Sequence, residues 1–191
     1  MNNTELPNRR SSRLKDYDYA QEGAYFVTIC SHRMACTFGE IDTTGRMHLN
    51  DWGVILVEEW LRTMHQRAYL DLDAFVVMPN HFHGIVVIAE SISPAMQGET
   101  VGATRASPVP KANDIARPNG PKSGSLGAII GSFKSAVSKR IRQLPNALDT
   151  PIWHRNYHDV IVRDERMLNT LRAYIENNPA KWAEDRYFQT G

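Results

Sequence analysis

The chain has 191 residues, 42% apolar and 23% charged, the profile of one ordinary soluble domain able to bury a core without staples. Its 22 Lys plus Arg against 21 Asp plus Glu give a net charge of +1, which neither supports nor excludes a polyanionic partner. Two cysteines, Cys30 and Cys36, exclude a disulfide-dense fold. Their spacing fits no common zinc site, so both are expected to be reduced.

Residues 1–20 are polar and open on a basic stretch, Arg9-Arg-Ser-Ser-Arg13, expected to form a mobile arm. The arm lacks the apolar stretch of a signal peptide, and no run reaches about 18 apolar residues, so no membrane span and a cytoplasmic location are expected. Ala24–Cys30, rich in β-branched and aromatic residues, reads as a strand. A second stretch, around Phe38–Leu49, is broken by a turn at Thr44-Gly45. Asn50 or Asp51 caps a helix to about Gln66, with Val54, Val57, Trp60, Leu61 and Met64 as its apolar face. Leu72–Met78 and His81–Ala89 are strands joined by a turn at Pro79-Asn80.

Residues 90–124 hold nine Gly plus Pro in 35 positions, too few large apolar groups to order themselves, and read as an exposed insertion. Ser125 opens a helix to about Gln143, with Leu126, Ile129, Ile130, Phe133, Val137 and Ile141 on one side and most of its basic residues away from them. From Val101 to Pro145 eight basic residues face one acidic residue, Asp114; with the basic arm this is a pointer to polyanions. Asn156–Arg163 is a further strand. Asp164 then caps a helix from Glu165 to about Asn177, stopped by Pro179 and carrying Met167, Leu168, Leu171, Tyr174 and Ile175 as a stripe. This order predicts an α+β fold, an antiparallel sheet with helices packed on it.

Two stretches carry chemistry. In Met78-Pro-Asn-His-Phe-His83, strand geometry puts His81 and His83 on one face, their Cα atoms about 6.6 Å apart, with Phe82 opposite. Two imidazoles on one strand can share a metal; the alternative is a polar pair on the wet face of a sheet. In Tyr174-Ile-Glu-Asn-Asn178, helical spacing aligns Tyr174 with Asn178. That offers a phenol and an amide oxygen, or else a stripe residue and a C-cap.

Taken jointly and in order, five segments resemble the REP-associated tyrosine transposases, small single-domain enzymes of the HUH class. They are Gly23-Ala-Tyr-Phe-Val-Thr28, Met78-Pro-Asn-His-Phe-His-Gly84, Ser132-Phe-Lys-Ser135, Trp153-His-Arg-Asn-Tyr157 and Tyr174-Ile-Glu-Asn-Asn-Pro179. The match runs from about Arg9 to Trp182 outside the insertion. The resemblance implies a ferredoxin-like sheet over a catalytic domain at 21–182, with 183–191 as a tail. It implies a divalent metal, Mg²⁺ or Mn²⁺, on His81, His83 and Asn178, with Tyr174 as the nucleophile. The substrate it implies is single-stranded or hairpin DNA, cut and rejoined through a covalent 5′-phosphotyrosine. Basic residues suited to phosphates are Arg9, Arg10, Arg13, Lys134, Lys139 and Arg140. Tyr157 is a rival nucleophile, and either a monomer or a homodimer is compatible. Two other readings are a DNA-hairpin-binding regulator without turnover, and a metal hydrolase that needs no tyrosine.

Overall fold

The computed structural model describes residues 14, 17–89, 121–145 and 150–188. Arg9, Arg10 and Arg13, and the insertion up to residue 120, lie outside the described residues.

The described residues form six strands and three α-helices. They are β1 (Gly23–Cys30), β2 (Gly39–Ile41), β3 (Met47–Leu49), α1 (Asp51–His65), β4 (Leu70–Val77), β5 (His81–Ile88), α2 (Leu126–Ile141), β6 (His158–Val162) and α3 (Glu165–Asn177). Strands β2 and β3 form a separate small hairpin, and the main sheet runs β4-β5-β1-β6 with every neighbouring pair antiparallel. With that hairpin set aside, β1-α1-β4-β5-α2-β6 is the split βαβ arrangement of ferredoxin-like folds. The expected fold class is observed, with α3 added.

Strand alternation divides the sheet into two faces. Tyr25, Val27 and Ile29 of β1 and Phe82 and Val86 of β5 enter a large core with α1 and α2. Phe26 and Ile85 enter a smaller one with Ile175 of α3. By the same alternation His81 and His83 face α3. Gly84 lies between them and Ile85 on the opposite face. A Cβ there would stand 2.8 Å from both Phe82 and Trp60, so the glycine lets Trp60 reach across the sheet.

The helices start where their caps predict. The Ser125 hydroxyl accepts from the Ala128 amide and the Asp164 carboxylate from Met167. All six expected apolar residues of α2 are buried. In α1 the buried face differs. Ile55, Leu56, Glu59, Trp60 and Thr63 are buried, whereas Val54 is 44% exposed. Gly53 seats the helix so closely on the Phe38 carbonyl that a Cβ would stand 2.2 Å from that oxygen. Glu59, an acid on the inner face, is neutralised by Arg140 of α2 at 3.0 Å and Arg62 at 3.4 Å. Counting apolar residues hides such a position.

Strand β6 spans His158–Val162, shorter than the expected Asn156–Arg163, and residues 152–154 separately pair beyond the end of β1. Ser31 bridges Trp153, and the His154 amide donates to the Cys30 carbonyl at 2.9 Å. The thiols are free as expected, with Cys30 buried and Cys36 exposed. No helix among the described residues is long and apolar enough to cross a membrane.

Candidate metal and tyrosine site

The site is built at the end of the β1–β5 ladder, where Cys30 pairs with His81 and Thr28 with His83. Their side chains project together, the two imidazole centroids 4.6 Å apart. Both histidines are buried, so the polar pair on a wet face is not what the sheet presents. His83 Nδ1 meets the Thr28 hydroxyl at 2.9 Å, and its ring stacks on Phe26. His81 Nδ1 meets Asn80 Oδ1 at 2.8 Å. Burial holds both imidazoles far below the usual histidine range, at about 3, and for His83 the neighbouring His81 adds to the effect. Both are neutral at pH 7, the state in which an imidazole nitrogen can bind a metal.

Helix α3 crosses this face and is held by a fork. The register of β4 shifts between Leu72 and Phe75. Within that irregular stretch, Asp73 takes two bonds from Arg172, 2.9 Å from Nε and 2.6 Å from Nη2. This fixes α3 at Arg172, about half a turn ahead of Tyr174. The Tyr174 ring is 41% exposed rather than part of the core. It packs edge-on against His83 and Phe26, with its hydroxyl 3.3 Å from His83 Nε2. Burial, and then the Asp185 carboxylate, push its phenol above the usual tyrosine range. Tyr157 instead packs against the large core on the other face of the sheet, away from the histidines.

Asn178 is buried at the C-cap of α3 and donates from Nδ2 to Asp185 at 3.3 Å. Asp185 follows a 3-10 turn at Pro179–Glu184. One ligand atom each from His81, His83 and Asp185 lies within 4.8 Å of the others, a span that a cation about 2.0–2.4 Å from each donor bridges with slight closure. Two buried polar atoms in this region have no hydrogen-bond partner, His81 Nε2 and Asn178 Oδ1. Unsatisfied buried atoms are costly, and a cation satisfies both kinds of lone pair. The donor set of imidazole nitrogens and oxygens therefore fits a divalent metal.

Sequence reasoning missed Asp185, Asn80 and Thr28. Thr28 and Asn80 lie inside motifs already singled out, but only the strand register shows what they touch. Asp185 lies in the stretch read as a tail, and nothing in its spacing marks it.

The predicted phosphate contacts fare differently. Lys134 points its ammonium at the carbonyls of His154, Arg155 and Asn156, at 2.7, 3.4 and 3.4 Å, beside the Trp153 ring. Burial lowers its pKa to about 8, so it stays largely charged at pH 7 and staples that loop. Arg140 is bound to Glu58 at 2.5 Å and Glu59 at 3.0 Å. Lys139 is exposed and lines a groove of about 480 Å³ with Lys134, Arg142 and Trp153. Lys134→Ala strips three carbonyls of a shared donor and is expected to lower stability by about 2 kcal/mol. Urea unfolding checks this, and an unchanged midpoint would show that the loop needs no staple.

No family model matches the chain. Over 186 residues it is 34% identical to an uncharacterised protein of Haemophilus influenzae, covering 97% of this chain and 96% of that protein. The chain belongs to that protein's family. Among solved structures, a REP-associated tyrosine transposase bound to a REP hairpin superposes with a TM-score of 0.54. It is 16% identical and covers 90% of this chain and 74% of that one. The chain thus shares the fold of that structure. A Deinococcus radiodurans structure described as a candidate transposase aligns over 86% of this chain and 95% of its own, at 16% identity. Its TM-score of 0.39 is too low to carry an argument.

Proposed function

We propose that the chain is a tyrosine transposase-type nuclease. In this reading it cuts and rejoins single-stranded or hairpin DNA through a covalent phosphotyrosine at Tyr174, with a divalent metal, Mg²⁺ or Mn²⁺, on His81, His83, Asn178 and Asp185. The observation that carries this is one juxtaposition. A partly exposed phenol stands 3.3 Å from a buried imidazole, beside two buried donor atoms without partners. The REP-hairpin complex of the structural neighbour supports the class of substrate.

The residues divide the work as follows. His81, His83, Asn178 and Asp185 hold the cation, which when bound neutralises phosphate charge and favours the ionised phenol. The Asp73–Arg172 fork and the Phe26 ring orient Tyr174. Its oxygen attacks phosphorus as the bond to the 3′ oxygen breaks. The phenolic proton passes to water in the open groove, about 530 Å³ in volume and lined by Tyr174, Asn178, Lys181 and Arg186, and the leaving 3′ oxygen takes a proton up. One phosphodiester is exchanged for another of similar energy, so the step reverses onto a different 3′ end without an external energy source. Lys139, with Arg142 beside it, and the arm residues Arg9, Arg10 and Arg13 neutralise DNA phosphates. Lys134 and Arg140 support the surface from which those contacts are made. One chain supplies every member of the site, so a monomer suffices.

His81→Ala and His83→Ala are each expected to lower Mn²⁺-dependent cleavage of labelled hairpin DNA at least a hundredfold and to weaken Mn²⁺ binding in calorimetry. Cleavage by the wild type that persists in EDTA, or is unchanged in both variants, would overturn the reading.

A further inference from the structure

Asn80 is fully buried, and every polar atom of its side chain is used. Nδ2 donates to the carbonyls of Met34 at 3.1 Å and Tyr187 at 2.7 Å, and Oδ1 faces His81 Nδ1 at 2.8 Å. Carbonyl oxygens only accept. Both amide hydrogens therefore lie on the side of Met34 and Tyr187, and the oxygen must be the atom beside His81. An amide oxygen cannot donate, so His81 carries its proton on Nδ1. Its lone pair is then on Nε2, the buried atom without a partner.

The two carbonyls are not incidental. Arg33 and Met34 are consecutive non-glycine residues in the left-handed region, at φ of 56° and 60°. That costly conformation persists only where the surroundings enforce it. Tyr187 lies two residues beyond Asp185, in a turn closed on it. The Tyr187 amide donates to Asp185 Oδ1 at 2.7 Å and the Phe188 amide to the Asp185 carbonyl at 2.9 Å. One buried amide thus joins the strained reversal at 33–34, the imidazole of His81 and the turn that bears Asp185.

We propose that Asn80 is a positioning residue: it sets the proton of His81 and holds the Asp185 segment against the two histidines, so that the donors converge only while that amide is in place. Its consequence for metal affinity rests on the metal reading above; its effects on tautomer and segment do not. Partners of this kind, behind a ligand, typically change metal affinity 10–100-fold.

The test uses the full-length metal-free protein, ¹⁵N-labelled, with histidine two-bond correlation spectra and amide hydrogen exchange. The wild type is expected to show His81 protonated at Nδ1. Asn80→Asp keeps an acceptor for that proton but loses both donors. It is expected to leave the tautomer unchanged, to speed exchange of the Tyr187 and Phe188 amides at least tenfold, and to weaken Mn²⁺ binding at least tenfold. Asn80→Ser, which loses one donor, is expected to give intermediate exchange and serves if Asn80→Asp does not fold. A wild-type His81 protonated at Nε2 would overturn the proposal, as would unchanged exchange at Tyr187 and Phe188 in the variants. A wild type with the expected tautomer and exchange that binds no Mn²⁺ would uphold this inference and contradict the metal reading instead.

Discussion

Replacing Tyr174 by Phe is expected to abolish covalent capture of DNA while leaving folding and metal binding near wild type. The substitution removes one oxygen. The ring keeps its edge-on contacts with His83 and Phe26. The lost hydrogen bond is 3.3 Å long, and the ring is 41% exposed, so the stability cost is about 1 kcal/mol or less. Chemistry has no such reserve. On the proposed reading the substitution removes the nucleophile, which typically costs about 10⁴-fold or more. Tyr157 cannot replace it from the other face of the sheet. Single-turnover reactions resolved on a denaturing gel measure this. Adduct formed by Tyr174→Phe at more than about a thousandth of the wild-type rate would move the nucleophile elsewhere.

Lowering the pH from 7 to 5 is expected to destabilise the metal-free protein before most of its carboxylates protonate. The folded state keeps His81 and His83 neutral down to about pH 3, whereas in the unfolded chain each takes a proton near pH 6.5. Between those values the unfolded state binds more protons, so stability falls as pH falls. The contribution is fully present above pH 6.5. By pH 5 it is reduced by about 2 kcal/mol for each imidazole, or about 4 kcal/mol for the pair. That loss corresponds to a drop of about 1–2 M in urea midpoint. The double variant His81→Gln/His83→Gln is expected to lose most of this dependence. A wild-type midpoint that stays constant from pH 7 to pH 5 would show that the imidazoles are not held neutral by burial.

Much of the fold was legible because its signals are local. Ser125 and the apolar stripe of α2, and Asp164 at the start of α3, are read from spacing and capping alone, and both agree with the structure. The face of α1 was not legible. Its orientation depends on Gly53 meeting the Phe38 carbonyl and on Glu59 meeting Arg140, contacts between segments far apart in sequence. The same division runs through the site. His81 and His83 declare a shared face through their period of two. Tyr174 and Asn178 declare theirs through helical spacing. That the two pairs meet depends on α3 crossing the sheet, held by Asp73 on an irregular stretch of an edge strand. Asp185 carried no signal. A 3-10 turn brings the chain back to the histidines, and Asn80 donates there to the carbonyl of Tyr187. Lys134 shows the opposite case, a basic residue in a recognisable motif whose ammonium donates to backbone carbonyls that its spacing does not reveal.

The most direct test of the central claim is to incubate the purified wild-type chain with labelled hairpin DNA from the flanks of its own gene, with Mn²⁺ or with EDTA, and to locate any protein–DNA adduct by peptide mass spectrometry. The account predicts a metal-dependent adduct on the peptide containing Tyr174, together with a free 3′-hydroxyl fragment. Binding without an adduct on several hairpins, or cleavage that releases both DNA ends free of protein, would contradict it.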